Sequence, residues 1–161
     1  MGANNHVLAV EKDGRVWAWG VNATGQLANP VGTSALTPVS ITGTVRTFCK
    51  IYTSNNGSLA LDKYGKVWGW GANSSGQLGV TKFNYDQFLG NLTNANIIVR
   101  SPTELHNNKT FCSIIAKGDT SHALAIDYRG RVWGWGSDTY GQLGQNFNAL
   151  NIYTPVRVCV I

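Results

Sequence analysis

The segment Arg131-Val132-Trp133-Gly134-Trp135-Gly136 occurs three times in the chain, with small changes. The other copies are Arg15-Val16-Trp17-Ala18-Trp19-Gly20 and Lys66-Val67-Trp68-Gly69-Trp70-Gly71. A Gly-Gln-Leu triplet follows each copy, and all six tryptophans of the chain lie inside the copies. The copies are separated by roughly 50 to 65 residues, a period typical of solenoids, propellers and arrays.

Each copy is predicted to form the second strand of a β-hairpin. In the first copy, alternating apolar residues flank Asp13-Gly14, and Gly adopts the positive φ that a tight turn needs. With these two residues as the loop, Leu8 faces Trp19, whereas Ala and Gly face each other on the opposite side. The same register in every copy predicts a bulky face of Trp and aliphatic residues and a flat face of Ala and Gly. Such sheets can stack face to face, as in a propeller.

Two shorter strands are predicted in each repeat. One kind begins at a Thr-Pro or Ser-Pro pair, with Pro expected at the first position of the strand, where a strand tolerates it. The other kind begins with Phe-Cys. The segments of the first kind are 37–41, 101–105 and 154–158, and those of the second kind are 48–52 and 111–116. Four strands per repeat match a propeller blade, and no segment has helical periodicity. The prediction is an all-β chain, a β-propeller built of four-stranded antiparallel blades.

Composition narrows the classes of protein that the chain can represent. Its 161 residues contain no apolar run of 18 or more, so no membrane contact is expected. With no secretion signal visible, the expected location is the cytoplasm or a viral or other macromolecular particle. The three cysteines lack metal-ligand spacing, so neither a metal nor a cofactor is expected. The net charge of +5 falls largely in turns that also carry acids, which disfavours nucleic acid as a partner.

The repeat pattern resembles that of the regulator of chromosome condensation family. The matching residues are Gly-x-x-x-His-x-Leu-Ala-Ile/Val, then Gly-Arg/Lys-Val-Trp-Gly/Ala-Trp-Gly-x-x-x-x-Gly-Gln-Leu-Gly, and the match covers essentially the whole chain. Bacterial relatives in that family include β-lactamase inhibitor protein II. The resemblance implies a seven-bladed β-propeller that works by binding proteins. Seven blades would need roughly 350 residues, so the chain is expected to form a partial ring of about three repeats.

The repeat also suggests how the chain divides. The expected units are half a blade at 1–28, a blade at 29–79, a blade at 80–144 with an insertion near 80–100, and the opening strand of a further blade at 145–161. Aromatic residues in the insertion are candidates for partner contact, with packing on their own blade as the alternative. These candidates are Phe83, Tyr85 and Phe88. The expected repeat core consists of Trp17, Trp19, Trp68, Trp70, Trp133 and Trp135.

The function expected from these features is protein binding without catalysis. His6 and His122 are predicted to be structural, because no Ser, Cys or carboxylate recurs at a spacing that makes a triad. The chain is interpreted as an interaction or scaffold module, a fragment or subunit of a larger assembly. Its partner is an unidentified protein, another copy of itself or the remainder of the same propeller. The resemblance leaves two alternatives, an exchange factor for a small GTPase and an inhibitor of β-lactamase-type hydrolases. Abundant Asn and the Trp-Gly-Trp pattern suggest a bacterial or viral source.

Overall fold

The computed structural model describes residues 2–3, 5–29, 33–41, 46–54, 56–80, 98–105, 108–116, 121–145 and 150–158. The strands within them are β1 Gly2–Ala3, β2 His6–Val10, β3 Val16–Gly20, β4 Ala35–Ser40, β5 Phe48–Ser54, β6 Gly57–Asp62, β7 Val67–Ala72, β8 Ile98–Glu104, β9 Phe111–Ile115, β10 His122–Asp127, β11 Val132–Ser137 and β12 Asn151–Arg157. The prediction of an all-β fold is confirmed. In these segments no helix has the length and apolarity that crossing a bilayer requires.

The strands form three four-stranded antiparallel sheets, each a meander in chain order. The sheets β1–β4, β5–β8 and β9–β12 are termed the first, second and third blade. The blades do not coincide with the sequence units. β4 pairs with β3, so the Pro-containing strand completes the sheet of the preceding hairpin instead of opening the next one. Together with the short β1, it makes the first blade a complete four-stranded sheet.

The predicted hairpin register is wrong by one residue. Ala9 pairs with Trp17 and Leu8 pairs with Ala18. The loop has three residues, because Glu11 N donates to Arg15 O and Gly14 N donates to Glu11 O, both at 2.9 Å. Gly14 has φ +87°, which is the arrangement of a type I turn followed by a left-handed bulge residue. Because the side chains of a strand alternate between the two faces, a register shift of one residue changes which residues share a face. The tryptophans therefore share a face with Ala9 and its equivalents, and the leucines share the other face with glycine or alanine.

The proline residues lie inside their strands, not at the predicted first positions. Pro38, Pro102 and Pro155 fall within β4, β8 and β12, which are edge strands. In each case the pairing with the inner strand shifts around them, for example between Ala18 and Gly20. A residue in a bulge on an edge strand does not have to donate an N–H to the neighbouring strand. Proline, which has no N–H, is therefore accommodated there.

The blades stack through the tryptophans, as the repeat predicts. Trp70 Nε1 donates to the carbonyl of Gln26 at 2.9 Å, and Trp135 Nε1 donates to the carbonyl of Gln77 at 3.1 Å. Both indoles are fully buried, at 0% exposure. The tryptophan-bearing faces of the second and third blades therefore pack on the Gly-Gln-Leu turn of the blade before them, with the indole N–H satisfied by a turn carbonyl.

Burial is uneven among the six predicted core tryptophans. Trp70, Trp133 and Trp135 are buried. Trp17, Trp19 and Trp68 are only partly buried. Two of the three partly buried indoles belong to the first blade, whose tryptophan-bearing face has no preceding blade among the described residues.

Candidate protein-binding surface

The hairpin turns of successive blades lie side by side at one end of the stack. Backbone hydrogen bonds connect them through the first residues of β5 and β9: Phe48 N donates to Gly14 O at 3.3 Å, and Phe111 N donates to Gly65 O at 2.8 Å. This end, formed by residues 11–15, 46–48, 62–66, 108–111 and 127–131, is termed the hairpin rim. Its turns are fixed relative to one another by the same bonds that hold the blades together.

A buried aspartate organises the turn in the second and third blades. Asp127 accepts hydrogen bonds from the backbone N–H groups of Arg129 and Arg131, from Arg131 Nε at 2.7 Å and from Trp133 Nε1 at 3.0 Å. Burial raises the pKa of Asp127, but these bonds outweigh it and hold the pKa well below its usual range. Asp62 makes the corresponding bonds, including one of 3.1 Å from Trp68 Nε1. Both carboxylates are therefore used as hydrogen-bond acceptors within their own turns.

The first blade departs from this pattern. Glu11 stands where Asp62 and Asp127 stand, and it pairs with Arg15 at 2.9 Å instead of accepting from the indole. Trp17 Nε1 is consequently buried without a hydrogen-bond partner in the described residues. Asp13 also pairs with Arg15, at 2.7 Å, so the charges of this turn are largely matched.

Two cations that the sequence interpretation missed are brought onto the rim by the fold. The Arg46 guanidinium lies 5.1 Å from the ring centroid of Trp68, and Lys109 Nζ lies 4.5 Å from that of Trp133. Arg131 also lies over the Trp133 ring, at 5.6 Å. A signal for the first two was present, because Arg/Lys-Thr-Phe-Cys occurs at both 46–49 and 109–112. The hairpin spacing alone did not show that these cations reach the tryptophan of the same blade.

The rim therefore carries unequal charge from blade to blade. Its second and third blades contribute six cations, Arg46, Lys63, Lys66, Lys109, Arg129 and Arg131. Two of these cations are paired: Lys66 with Glu104 of β8 at 3.7 Å, and Arg131 with Asp127 at 2.7 Å. A cleft of about 260 Å³ opens at the third blade. It is lined by Asn108, Lys109, Thr110, Asp127, Tyr128, Arg129 and Arg131.

A separate polar network lies between the first and second blades. His6 Nε2 is 3.0 Å from Ser58 Oγ, and Ser58 Oγ donates to the Gln26 carbonyl at 2.9 Å. Because the hydroxyl proton goes to that carbonyl, the neutral imidazole donates through Nε2. Burial lowers the pKa of His6 to about 4. His6 is thus structural, as predicted, although its partner is a side chain. The Gln26 side chain caps its own turn by accepting from the N–H and hydroxyl of Thr24.

At each end of the stack, one sheet face is partly exposed, whereas the equivalent face between two blades is buried. On the first blade, the face of Val7, Ala9, Trp17 and Trp19 is partly exposed, and on the third blade so is the opposite face of His122, Leu124, Ile126 and Val132. The residues equivalent to this second set in the second blade, Gly57, Leu59, Leu61 and Val67, are all buried. The two partly exposed faces are the two halves of the interface that joins neighbouring blades.

The predicted contact residues of the insertion, Phe83, Tyr85 and Phe88, lie outside the described residues, so their role stays a prediction. Within the described segments, no three His, Cys, Asp or Glu side chains are grouped closely enough to hold a metal ion.

Comparison with known proteins identifies the repeat. Two family models, both described as the Regulator of chromosome condensation (RCC1) repeat, match residues 48–77 and 115–142 in one case and residues 13–61 and 129–161 in the other. Human Protein RCC2 is 32% identical over 154 residues, which cover 95% of this chain and 27% of RCC2. The Xenopus laevis RCC2 homolog is 31% identical, covering 95% and 28%. The human probable E3 ubiquitin-protein ligase HERC6 is 32% identical, covering 86% and 12%.

These relatives are vertebrate proteins, so they give no support to the expected bacterial or viral source. The chain spans only about a quarter of the length of the RCC2 proteins that it matches.

Solved structures show the same fold. Yeast RCC1 (Prp20), in its complex with Kap60, superposes with a TM-score of 0.81 at 23% identity over 99% of this chain and 36% of that one. Human WBSCR16 superposes with a TM-score of 0.78 at 21% identity, covering 98% and 38%. Three blades with the same stacking thus correspond to a sector of a propeller. From the matched repeats, which extend over more than half of its residues, the protein belongs to the regulator of chromosome condensation (RCC1) repeat family.

Proposed function

We propose that this chain is a sector of an RCC1-type propeller that acts as a non-catalytic protein-binding module. The observation that carries the proposal is the hairpin rim, where the same arrangement of buried aspartate, tryptophan and stacked cation recurs on two successive blades. Side chains fixed on rigid sheets lose little conformational freedom when a partner binds. The rim is therefore suited to recognition of another macromolecule.

The structural relatives support a protein as that macromolecule. Yeast RCC1 was solved bound to Kap60, and Prp20p of Saccharomyces cerevisiae was characterised together with its binding to Gsp1p and histones. The identities of 23% and 24% transfer the fold, so the particular partners are candidates to be tested on this chain.

The open faces favour further blades of the same repeat over a second copy of this chain. Between the first and second blades, His6 meets Ser58. In a head-to-tail pair of copies, His122 would instead meet Val7, which occupies the position of Ser58 in the first blade. Valine would there replace the serine hydroxyl that His6 contacts in the observed interface. A following blade with a hydroxyl side chain at that position would fit.

A binding titration tests the proposed function. Purified Kap60, Gsp1p and core histones are each titrated against this chain by calorimetry, with an Arg46→Ala/Lys109→Ala double variant and an Arg15→Ala variant alongside. We expect at least one saturable complex, weakened in the double variant and retained in the Arg15→Ala control, because Arg15 is matched by Glu11 and Asp13. If the folded chain binds none of the three proteins at tens of micromolar, the proposal fails.

Nucleotide exchange on a small GTPase and inhibition of a β-lactamase-type hydrolase stay predictions from the family resemblance. The Gsp1p preparation allows the first to be examined directly, since an exchange factor accelerates release of a fluorescent GDP analogue. A release rate that is unchanged by the chain would remove that alternative.

A further inference from the structure

The contact between the first and second blades is termed the first joint, and that between the second and third blades the second joint. In the first joint the Gln26 carbonyl accepts from Trp70 Nε1 and from Ser58 Oγ, both at 2.9 Å. Ser58 Oγ lies in turn 3.0 Å from His6 Nε2. The imidazole is therefore connected, through one hydroxyl, to the carbonyl that holds the indole of the next blade.

The second joint has the same indole bond without this imidazole. The strand pairing places Gly57 at the position of His6 and Ala123 at the position of Ser58. Further side-chain hydrogen bonds cross the second joint, from Lys50 Nζ to Cys112 O, from Ile114 N to Tyr52 OH and from Tyr153 OH to Ser74 O. These bonds are made by an amine, two phenols and backbone groups. The two joints thus differ in the presence of a histidine.

The first joint accommodates a neutral imidazole. His6 and Ser58 are both buried. Because the hydroxyl proton of Ser58 goes to the Gln26 carbonyl, the neutral ring donates through Nε2, and a second proton would have to sit on Nδ1. Within the described residues, the ring hydrogen bond that is found is the one at Nε2. A second proton would therefore place a desolvated charge in the joint.

The elements packed against His6 supply no charge that compensates such a proton. Neither β1 and β3 nor the turn at 21–28 contains a titratable side chain. Strands β5 and β6 contain Cys49, Lys50, Tyr52 and Asp62. Cys49 Sγ donates within its own blade, Lys50 and Tyr52 bond to the third blade, and Asp62 bonds within its own turn. Burial alone lowers the pKa of His6 to about 4.

We infer that the first joint is an acid-sensitive hinge: protonation of His6 releases the first blade from the second, whereas the second joint stays closed. In the open state the imidazole is hydrated, so protons favour the open state below pH 6.5, the ordinary pKa of histidine. Opening uncovers the face of the second blade that carries Trp70, which is fully buried in the closed state. A large apolar surface of this kind becomes available for interaction in acid.

Hydrogen exchange of the indole N–H groups in the intact chain tests the hinge. The exchange rate of each indole is divided by the rate of a free indole at the same pH, which gives its opening constant, and the measurement is repeated in low concentrations of urea. At pH 5, Trp70 should open more often than Trp135 and with a weaker urea dependence, because hinge opening exposes less surface than unfolding. With a pKa of about 4 in the closed state and 6.5 in the open state, the opening constant of Trp70 should rise about thirtyfold between pH 7.5 and pH 5.

Two substitutions assign the rise to one imidazole. His6→Gln keeps an N–H donor for Ser58 but does not titrate, so it should reduce the rise at Trp70 to less than about threefold. His122→Gln is the matched control and should retain the rise, because His122 lies on the open face of the third blade, away from the first joint. The comparison of Trp70 with Trp135 within the wild-type chain decides the matter even where a variant is unstable.

Two results would overturn the hinge. Equal opening constants and equal urea dependence for Trp70 and Trp135 at pH 5 would show that acid unfolds the three blades as one unit. A full rise at Trp70 in the folded His6→Gln protein would assign the acid sensitivity to another group. The binding titrations at neutral pH are independent of both results, so failure of the hinge leaves the proposed protein-binding function in place.

Discussion

Asp138 occupies the turn position that Asn22 and Asn73 hold in the first two blades. Asn73 Oδ1 accepts from Leu78 N at 2.9 Å, and its Nδ2 donates to Val80 O at 2.9 Å. Asp138 keeps only the first of these bonds, from Leu143 N at 2.7 Å. Its other oxygen is buried without a hydrogen-bond partner in the described residues. A carboxylate cannot donate to the carbonyl that the amide reaches, so this turn is less well satisfied than its equivalents.

Asp138→Asn should therefore stabilise the protein. We expect the free energy of unfolding to rise by about 1 kcal/mol, the usual net contribution of one hydrogen bond. Urea denaturation followed by tryptophan fluorescence measures it. The matched control is Asn73→Asp, which should lower stability by a similar amount. A destabilised Asp138→Asn protein would show that the carboxylate has a favourable partner.

His6 makes stability depend on pH. Burial lowers the pKa of the folded imidazole to about 4, whereas the unfolded chain has the ordinary value of 6.5. Below pH 6.5 the unfolded state binds a proton that the folded state does not, so stability is full above pH 6.5 and is lost as the pH falls towards 4. The loss from this group is on the order of 3 kcal/mol.

Denaturation midpoints measured between pH 7.5 and 4 test this dependence. His6→Gln, which can still donate to Ser58 but does not titrate, should flatten the profile. His122→Gln is the comparison: burial lowers the pKa of His122 as well, with Asp138 opposing, and because His122 is only partly buried its replacement should flatten the profile less than that of His6. A profile of equal slope in the wild-type and His6→Gln proteins would contradict the assignment.

At the scale of the elements, the repeat predicted most strands but not their register. Strands β5 and β9 and both partners of each hairpin could be recognised because their apolar residues alternate and repeat. The register depends on whether the turn has two or three residues, and Asp13-Gly14 is compatible with both. The left-handed glycine at the end of the loop, with φ +87° at Gly14, decides it in favour of three.

Only some of the cations of the hairpin rim could be predicted from the sequence. Tip residues such as Lys63 and Arg129 were visible from the sequence, because they adjoin the hairpin turns. Arg46 and Lys109 lie on a different strand connection and reach the tryptophans only after β5 and β9 pair with the hairpins. Long-range pairing of this kind leaves no local signal, although the repeated Arg/Lys-Thr-Phe-Cys motif was present.

The glycine that follows the second tryptophan of each copy has a positive φ. Gly136 has φ +101°, and a Cβ there would lie 2.4 Å from Ser121 O and 2.6 Å from His122 Cα. We expect Gly136→Ala to destabilise the protein by about 3 kcal/mol or more, because strain and a backbone clash add. Gly130→Ala is the matched control, since its φ is +74° but no atom lies within 4 Å of the added carbon.

The control should cost only about 1 kcal/mol, the strain of a left-handed alanine. Chemical denaturation of the two variants gives the comparison. Equal costs would show that movement of β10 relieves the close approach at Gly136.

At the scale of the whole molecule, the three blades repeat one interface. The tryptophan-bearing faces of the second and third blades pack on the Gly-Gln-Leu turn of the blade before them. The tryptophan-bearing face of the first blade and the opposite face of the third remain partly exposed. Large exposed apolar faces are uncommon on isolated proteins and mark interaction surfaces. The sector is therefore expected to gain stability when further blades of the repeat cover its ends.

The central claim is that buried indole N–H groups join successive blades, and hydrogen exchange of the tryptophan side chains tests it most directly. In nitrogen-15 spectra, the indole N–H protons of Trp70 and Trp135 should exchange far more slowly than the indole N–H of Trp19. The first two indoles are fully buried and donate to the Gln26 and Gln77 carbonyls, whereas Trp19 lies on the partly exposed face of the first blade. Exchange of Trp70 and Trp135 as fast as that of Trp19 would contradict the stacked-blade account.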